Sequence, residues 1–142
     1  MTIAVILGGK GHDVVAIDAG ATMGEAVQLL AERRIGAVPV LDGGRVAGVF
    51  SERDVIRCLA SEGPAALERP VRDAMTAPAM TVSPGEPVLG ALSLMTRRRI
   101  RHLPVLEGEA LVGIVSIGDL VKHRIDRIEA EASAMRDYIA HA

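Results

Sequence analysis

Residues 34–54 read RIGAVPVLDGGRVAGVFSERD, and residues 99–119 read RIRHLPVLEGEALVGIVSIGD. At a constant offset of 65 residues, Arg34, Ile35, Pro39, Val40, Leu41, Gly43, Gly48, Ser51 and Asp54 recur as Arg99, Ile100, Pro104, Val105, Leu106, Gly108, Gly113, Ser116 and Asp119, without a gap. Upstream, Ala26, Leu29 and Arg33 recur as Ala91, Leu94 and Arg98, and Ile17 meets Val82. Self-similarity at one offset over this length means that the chain folds one supersecondary unit twice.

Periodicity gives the content of the unit. Ala26, Val27, Leu29 and Leu30, like Val88, Leu92 and Met95, recur at the three- and four-residue spacing of a helix with one buried face. AVPVL and HLPVL, a Gly-containing turn, then VAGVF and LVGIV predict a strand hairpin. A second helix is predicted from Asp54 to about Ala60 and from Asp119 onward, and a short strand at Val14–Ile17 or Met80–Val82 precedes the first helix. The unit is β-α-β-β-α, an α/β (α+β) fold. The chain divides into an N-terminal segment with the first repeat (1–62), a linker (63–78), a second repeat (79–122) and a C-terminal helical extension (123–142). Prolines 64, 70 and 78 punctuate the linker, which is predicted to carry a short helix over Val71–Met75. Neither repeat is large enough to bury much apolar surface alone, so the two are expected to pack together with pseudo-twofold symmetry and paired clefts.

Composition excludes several functions. The 142 residues are 49% apolar and 24% charged, with one Phe, one Tyr and no Trp. A single-strand nucleic-acid binder stacks bases on aromatic rings that this chain lacks, and the formal net charge of -2 argues against a surface made for phosphate backbones. No apolar run reaches the ~20 residues of a membrane-spanning helix. The N-terminus has no basic n-region, and Cys58 is the sole cysteine, so a reducing, cytoplasmic setting is expected. His12, His102, His123, His141 and Cys58 have no metal-ligand spacing, and no nucleophile, base and orienting acid share a recognisable pattern. Neither a metal site nor catalysis is expected.

The chemistry concentrates in G-x-x-S-x-x-D, found as Gly48, Ser51, Asp54 and as Gly113, Ser116, Asp119. Serine followed three residues later by an acid is a helix-capping pattern, which requires no ligand. The same place offers free amides and a hydroxyl to a phosphate, and a carboxylate that accepts both hydrogen bonds of a ribose diol. Both readings use one Asp side chain. The copies differ where Gly36 and Ala37 of the first become Arg101 and His102 of the second. Arg97, Arg98 and Arg99 are assigned to a helix end and its solvent, where cations favour the dipole. Arg101 and His102, just before Pro104 and its strand, are candidate phosphate contacts in a cleft.

IGAVPVLDGGRVAGVFSERD and IRHLPVLEGEALVGIVSIGD together resemble a tandem pair of CBS domains, the module named after cystathionine β-synthase and also called a Bateman module. The resemblance spans about Val14 to Val121. It implies a non-catalytic regulatory fold that binds AMP, ADP or ATP, sometimes NAD(H) or S-adenosylmethionine, in clefts between the copies, with no required cofactor. By position it implies ribose-binding acids at Asp54 and Asp119, and hydroxyls near the α-phosphate at Ser51 and Ser116. It places Ala37, Pro39, Thr81, His102 and Pro104 around the adenine or phosphate. Ala16 stands where the second copy has Thr81, so unequal sites are expected. Lys10, ahead of the first copy, is a candidate phosphate contact or a solvated lysine.

In the tail, Val121, Ile125, Ile128, Ala132, Met135 and Ile139 follow intervals of four, three, four, three and four. Such a heptad seam is expected to form a homodimer, the alternative being a helix packed on its own domain. The remaining alternative for the whole chain is a structural or interaction module, in which the two acids only cap helices and the arginines meet a protein or nucleic-acid partner.

Overall fold

The structure is a computed structural model, and it describes residues 1–11 and 13–141. The elements are α1 (Ile3–Lys10), β1 (Ile17–Asp18), α2 (Met23–Arg33), β2 (Ala37–Asp42), β3 (Arg45–Ser51), α3 (Glu52–Glu62), two 3₁₀ turns (Gly63–Glu68 and Val71–Asp73), α4 (Val88–Arg98), β4 (His102–Glu107), β5 (Ala110–Ser116) and α5 (Ile117–Ala140). The predicted β-α-β-β-α unit occurs twice. β2 and β4 pair antiparallel with β3 and β5 in matching register, each with an irregularity at the same place, Val40/Leu41 and Val105/Leu106.

The first strand of each unit is shorter than expected. Instead of Val14–Ile17 there is Ile17–Asp18, parallel to β2, and instead of Met80–Val82 a single bridge from Val82 to Val105. Val82 donates to the Pro104 carbonyl (3.1 Å) and accepts from the Leu106 amide (2.9 Å). The next parallel rung would need an N–H at Pro104, or at Pro39 in the first copy, and proline has none.

α2 and α4 end alike. Arg34 and Arg99 take the left-handed conformation (φ 54° each), and the following Ile35 and Ile100 amides return to the Leu30 and Met95 carbonyls, both at 3.1 Å. This closes the helix with an apolar residue folded back on it.

Two separate cores result, and neither is built from one repeat alone. Ala66, Val71 and Ala74 of the linker fill the first, with Met23, Val38, Val40 and Phe50. Ile3, Ile6 and Leu7 of α1 fill the second, with Met95, Leu103, Val105 and Leu120. The helix predicted over Val71–Met75 is a shorter 3₁₀ turn, Val71–Asp73, and a second, unpredicted 3₁₀ turn, Gly63–Glu68, precedes it; both contribute to the first core. The N-terminal segment, grouped by sequence with the first repeat, packs on the second. Backbone pairing shows that the two segments do the same work: Val71 and Arg72 donate to the carbonyls of Ala21 and Ala19, and Ile3 and Ala4 donate to those of Glu86 and Pro84. Met23 reaches the Arg69 carbonyl as Val88 reaches that of Met1. Each repeat is therefore completed by the segment that leads into the other.

Gly48 and Gly113 make room for these crossing segments. A Cβ at Gly48 would fall 2.6 Å from the Thr76 carbonyl oxygen and 2.8 Å from Met75 Sδ, and one at Gly113 would fall 2.5 Å from Leu7 Cδ2.

α5 has 24 residues, about 36 Å of helix. Only Leu120 is buried in it, while Val121, Ile125, Ile128, Met135 and Ile139 are 42–65% exposed. The seam does not pack on its own domain.

Candidate functional site

The Ser-x-x-Asp motif begins α3 and α5, and both acids cap. Ser116 Oγ accepts from the Asp119 amide (3.1 Å) and Asp119 Oδ2 accepts from the Ser116 amide (2.9 Å), a reciprocal box. In the first copy, Asp54 Oδ2 accepts from both the Ser51 amide (2.9 Å) and its hydroxyl (3.2 Å). The helix amides just before each motif's acid are caught by the opposite strand's entry: Glu52 donates to the Gly36 carbonyl (3.0 Å) and Ile117 to that of Arg101 (2.8 Å).

Beyond capping, the two acids differ. Asp54 is 2% exposed, and its Oδ1 accepts from Thr76 Oγ1 (3.1 Å) and from an Arg57 Nη2 (3.0 Å). A carboxylate has about four lone-pair sites, so Asp54 is fully engaged. Asp119 is more open, and Lys10 Nζ binds its Oδ2 at 2.6 Å while also donating to the Ile114 carbonyl at 2.9 Å. Burial pushes the Asp119 carboxyl up, but the Lys10 ammonium and the Ser116 N–H and hydroxyl outweigh it and hold the carboxyl below its ordinary value. The segment that crosses over from the other repeat supplies the partner of each acid, Thr76 to one and Lys10 to the other.

A cavity of about 380 Å³ opens beside Asp54. α3 contributes Glu52, Arg53, Ile56 and Arg57; the end of the linker contributes Thr76, Pro78, Ala79 and Met80; the stretch entering β4 contributes Arg99, Ile100, Arg101 and His102. Four guanidinium groups and an imidazole thus surround a cleft with two carboxylates. His102 fits because its neighbour across the repeats is Gly36, where a Cβ would lie 3.3 Å from His102 Cε1. Burial, then the Lys10 charge, push the His102 imidazole below its ordinary value; Asp119 and Glu52 oppose this and Arg101 adds to it.

The structure thus joins Ser51 and Asp54 of one repeat to Arg101 and His102 of the other. Ser116 and Asp119 lie away from this cavity, with Lys10. Arg99, assigned to helix end and solvent, caps α4 through its backbone and also lines the cleft. Ala37, Pro39 and Pro104 are buried in β2 and β4 and do not line it; Thr81 is half-buried beside Met80, outside the lining. Sequence reading missed Thr76, Arg53 and Arg57. Arg57 was legible as a cation one helical turn after Asp54, whereas nothing local marks Thr76. Among the described residues, no three His, Cys, Asp or Glu side chains converge as a metal site, and His12 lies outside those residues.

A family model described as CBS domain matches residues 11–61 and 71–126. The chain belongs to the CBS-domain family. A CBS-domain containing protein from Agrobacterium tumefaciens has the same architecture, with 39% identity and a TM-score of 0.84 over 87% of this chain and 99% of that one. A CBS domain protein from Pyrobaculum aerophilum, solved as a complex with AMP, is 29% identical, with a TM-score of 0.75 over 84% of this chain and 89% of its own. Among curated proteins, the mitochondrial CBS domain-containing protein CBSX3 of Arabidopsis thaliana is 35% identical over 83% of this chain, which spans 60% of that protein's length. CBS domain-containing protein YhcV of Bacillus subtilis is 30% identical over 90% of this chain and 89% of its own length. Two CBS domains, each completed by the other's leading segment, therefore place the Asp54 cleft at the junction of the pair. No helix among the described residues is long and apolar enough to cross a membrane.

Proposed function

We propose that this CBS pair is a non-catalytic regulatory module that binds an adenosine-containing ligand in the Asp54 cleft and passes its occupancy to a regulated protein. The observation that carries the reading is a buried carboxylate at a helix start, Asp54, facing Arg99, Arg101 and His102 of the other repeat across a cavity of about 380 Å³, within the usual range for small-ligand clefts. The AMP complex of the Pyrobaculum relative supports the ligand class. AMP, ADP, ATP and NAD(H) are the candidates, and no cofactor is required.

Because Asp54 is fully engaged, a ribose diol enters only by displacing a present donor. Thr76 Oγ1 and Arg57 are the two on Oδ1. Arg57, once released, turns toward phosphate beside Arg53 and Arg101. Thr76 is tied to β3 through reciprocal amide–carbonyl bonds with Val49 (2.9 and 3.0 Å), so its displacement loosens the linker. Binding the two linker positions unequally is how occupancy becomes a change of shape. Asp119 and Ser116 form a second, weaker site, because Lys10 already neutralises that acid.

The capping geometry favours one other reading, an interaction module in which both acids serve only the helices. Calorimetric titration with AMP, ATP and NADH separates them, using the native protein, Asp54→Asn and Asp119→Asn, with circular dichroism as the control for folding. Saturable binding that Asp54→Asn abolishes and Asp119→Asn spares establishes the first cleft. Absence of heat from folded native protein establishes the interaction module, whose nucleic-acid version would weaken steeply with salt.

A further inference from the structure

The exposed face of α5 carries information beyond its apolar seam. Counting Ile125, Ala132 and Ile139 as heptad a positions and Val121, Ile128 and Met135 as d positions, the flanking g positions are Arg124, Glu131 and Tyr138, and the e positions are Lys122, Glu129 and Arg136. From Ile125 onward, every α5 residue described is exposed, and Arg124 is half-buried. The helix therefore leaves the body with its seam and flanks uncovered.

Charge complementarity selects the occupant. In a parallel pair, each g residue meets the e residue five positions on in its partner. Arg124 would then face a second copy's Glu129, and Glu131 would face a second copy's Arg136, so all four flanking contacts are attractive. In an antiparallel pair with the seam fully overlapped, e faces e and g faces g. Lys122 would meet Arg136, Glu129 would meet Glu129, and Glu131 would meet Glu131, all of like sign. Within one chain, Glu131 is held loosely by Arg127 (3.4 Å) and keeps most of its exposure, so it is available to a partner.

We propose that the exposed α5 face docks a second copy of this chain as a parallel, in-register, two-stranded coiled coil, with Arg124–Glu129 and Glu131–Arg136 pairs across the seam. The arrangement sets both CBS pairs at the same end of the coil. It stands independently of the nucleotide reading, since none of its residues lines the Asp54 cleft.

Sedimentation equilibrium of the full chain tests it. The native protein should be a concentration-dependent dimer. Glu129→Arg/Glu131→Arg turns every flanking contact repulsive and should weaken self-association roughly 100-fold. Mixing it with Arg124→Glu/Arg136→Glu should restore a dimer between the two variants. Orientation is read from Ile139→Cys in a Cys58→Ser background: a parallel coil oxidises to a covalent dimer, whereas an antiparallel one sets residue 139 across from residue 121 and does not. A native chain that stays monomeric to its solubility limit, a dimer indifferent to the charge reversal, or a charge-sensitive dimer without the 139–139 crosslink would each overturn the proposal.

Discussion

His102 is a residue whose behaviour depends on both halves of the molecule. Its backbone lies opposite Ser116 in the β4–β5 ladder, its ring lies against Gly36, and it lines the Asp54 cleft. With its pKa lowered by burial and by Lys10, the folded protein holds the ring neutral while the unfolded chain protonates near 6.5. More protons are bound in the unfolded state below that value, so His102 costs stability as pH falls through 6.5 toward its folded pKa. A ligand phosphate in the cleft raises the pKa again. Nucleotide binding at a pH between the lowered pKa of the free protein and the raised pKa of the complex should then take up a proton, giving affinity that rises as pH falls through that window; His102→Gln should remove both effects. Titrations in buffers of different ionisation enthalpy measure the uptake directly. That this position mattered was legible from its asymmetry with Ala37; that it shares a wall with Gly36 was not, since 66 residues of chain separate the two.

At the scale of elements, the recurrent glycines are explained by what crosses over them. Gly48 meets backbone, the Thr76 carbonyl, which is fixed in a two-bond bridge to Val49. Gly113 meets the tip of a leucine side chain, which can turn. Gly48→Ala should therefore cost about 2–3 kcal/mol and Gly113→Ala about 1 kcal/mol, as overpacking does when the neighbour is rigid or yielding. Urea unfolding of the two variants gives the order; equal costs would mean that Leu7 is as immobile as the linker backbone. Hairpin and helix positions followed from periodicity because each depends on neighbours three, four or two residues away. The first strands did not. Their length is set by prolines in a different strand, Pro39 and Pro104, and local propensity at Val14–Ile17 or Met80–Val82 contains no trace of that.

At the scale of the whole molecule, the exchange of leading segments makes the two sites unequal. α1 crosses to the second repeat and brings Lys10 to Asp119, while the linker crosses to the first and brings Thr76 to Asp54. Lys10→Met should free the second acid, and calorimetry should show a second class of nucleotide site, or a tighter one. The same variant should change acid stability. Asp119 has a lowered folded pKa, so its contribution is present above the unfolded value near 3.9 and is lost as pH falls through the lower folded value. Because both partners are partly solvated, the contribution is about 1 kcal/mol or less, and in Lys10→Met it should shrink across that window. Acid unfolding curves for the two proteins should converge below it.

The 65-residue repeat, the element order within each unit, the Ser-x-x-Asp helix starts and the heptad spacing of α5 were determined by the sequence alone, because identities at fixed offset and helical or strand periods are local or self-referential; that the α5 seam lies uncovered was decided by the tertiary structure. Tertiary structure alone decided which leading segment completes which repeat. Residues 1–4 and 69–72 do the same job with only one similar pair of residues, the buried Ile3 and Val71, to reveal it, since what they share is backbone hydrogen bonding and that apolar contact. Those requirements accept many sequences, and the partner of Asp54 or Asp119 is therefore settled by packing across the chain.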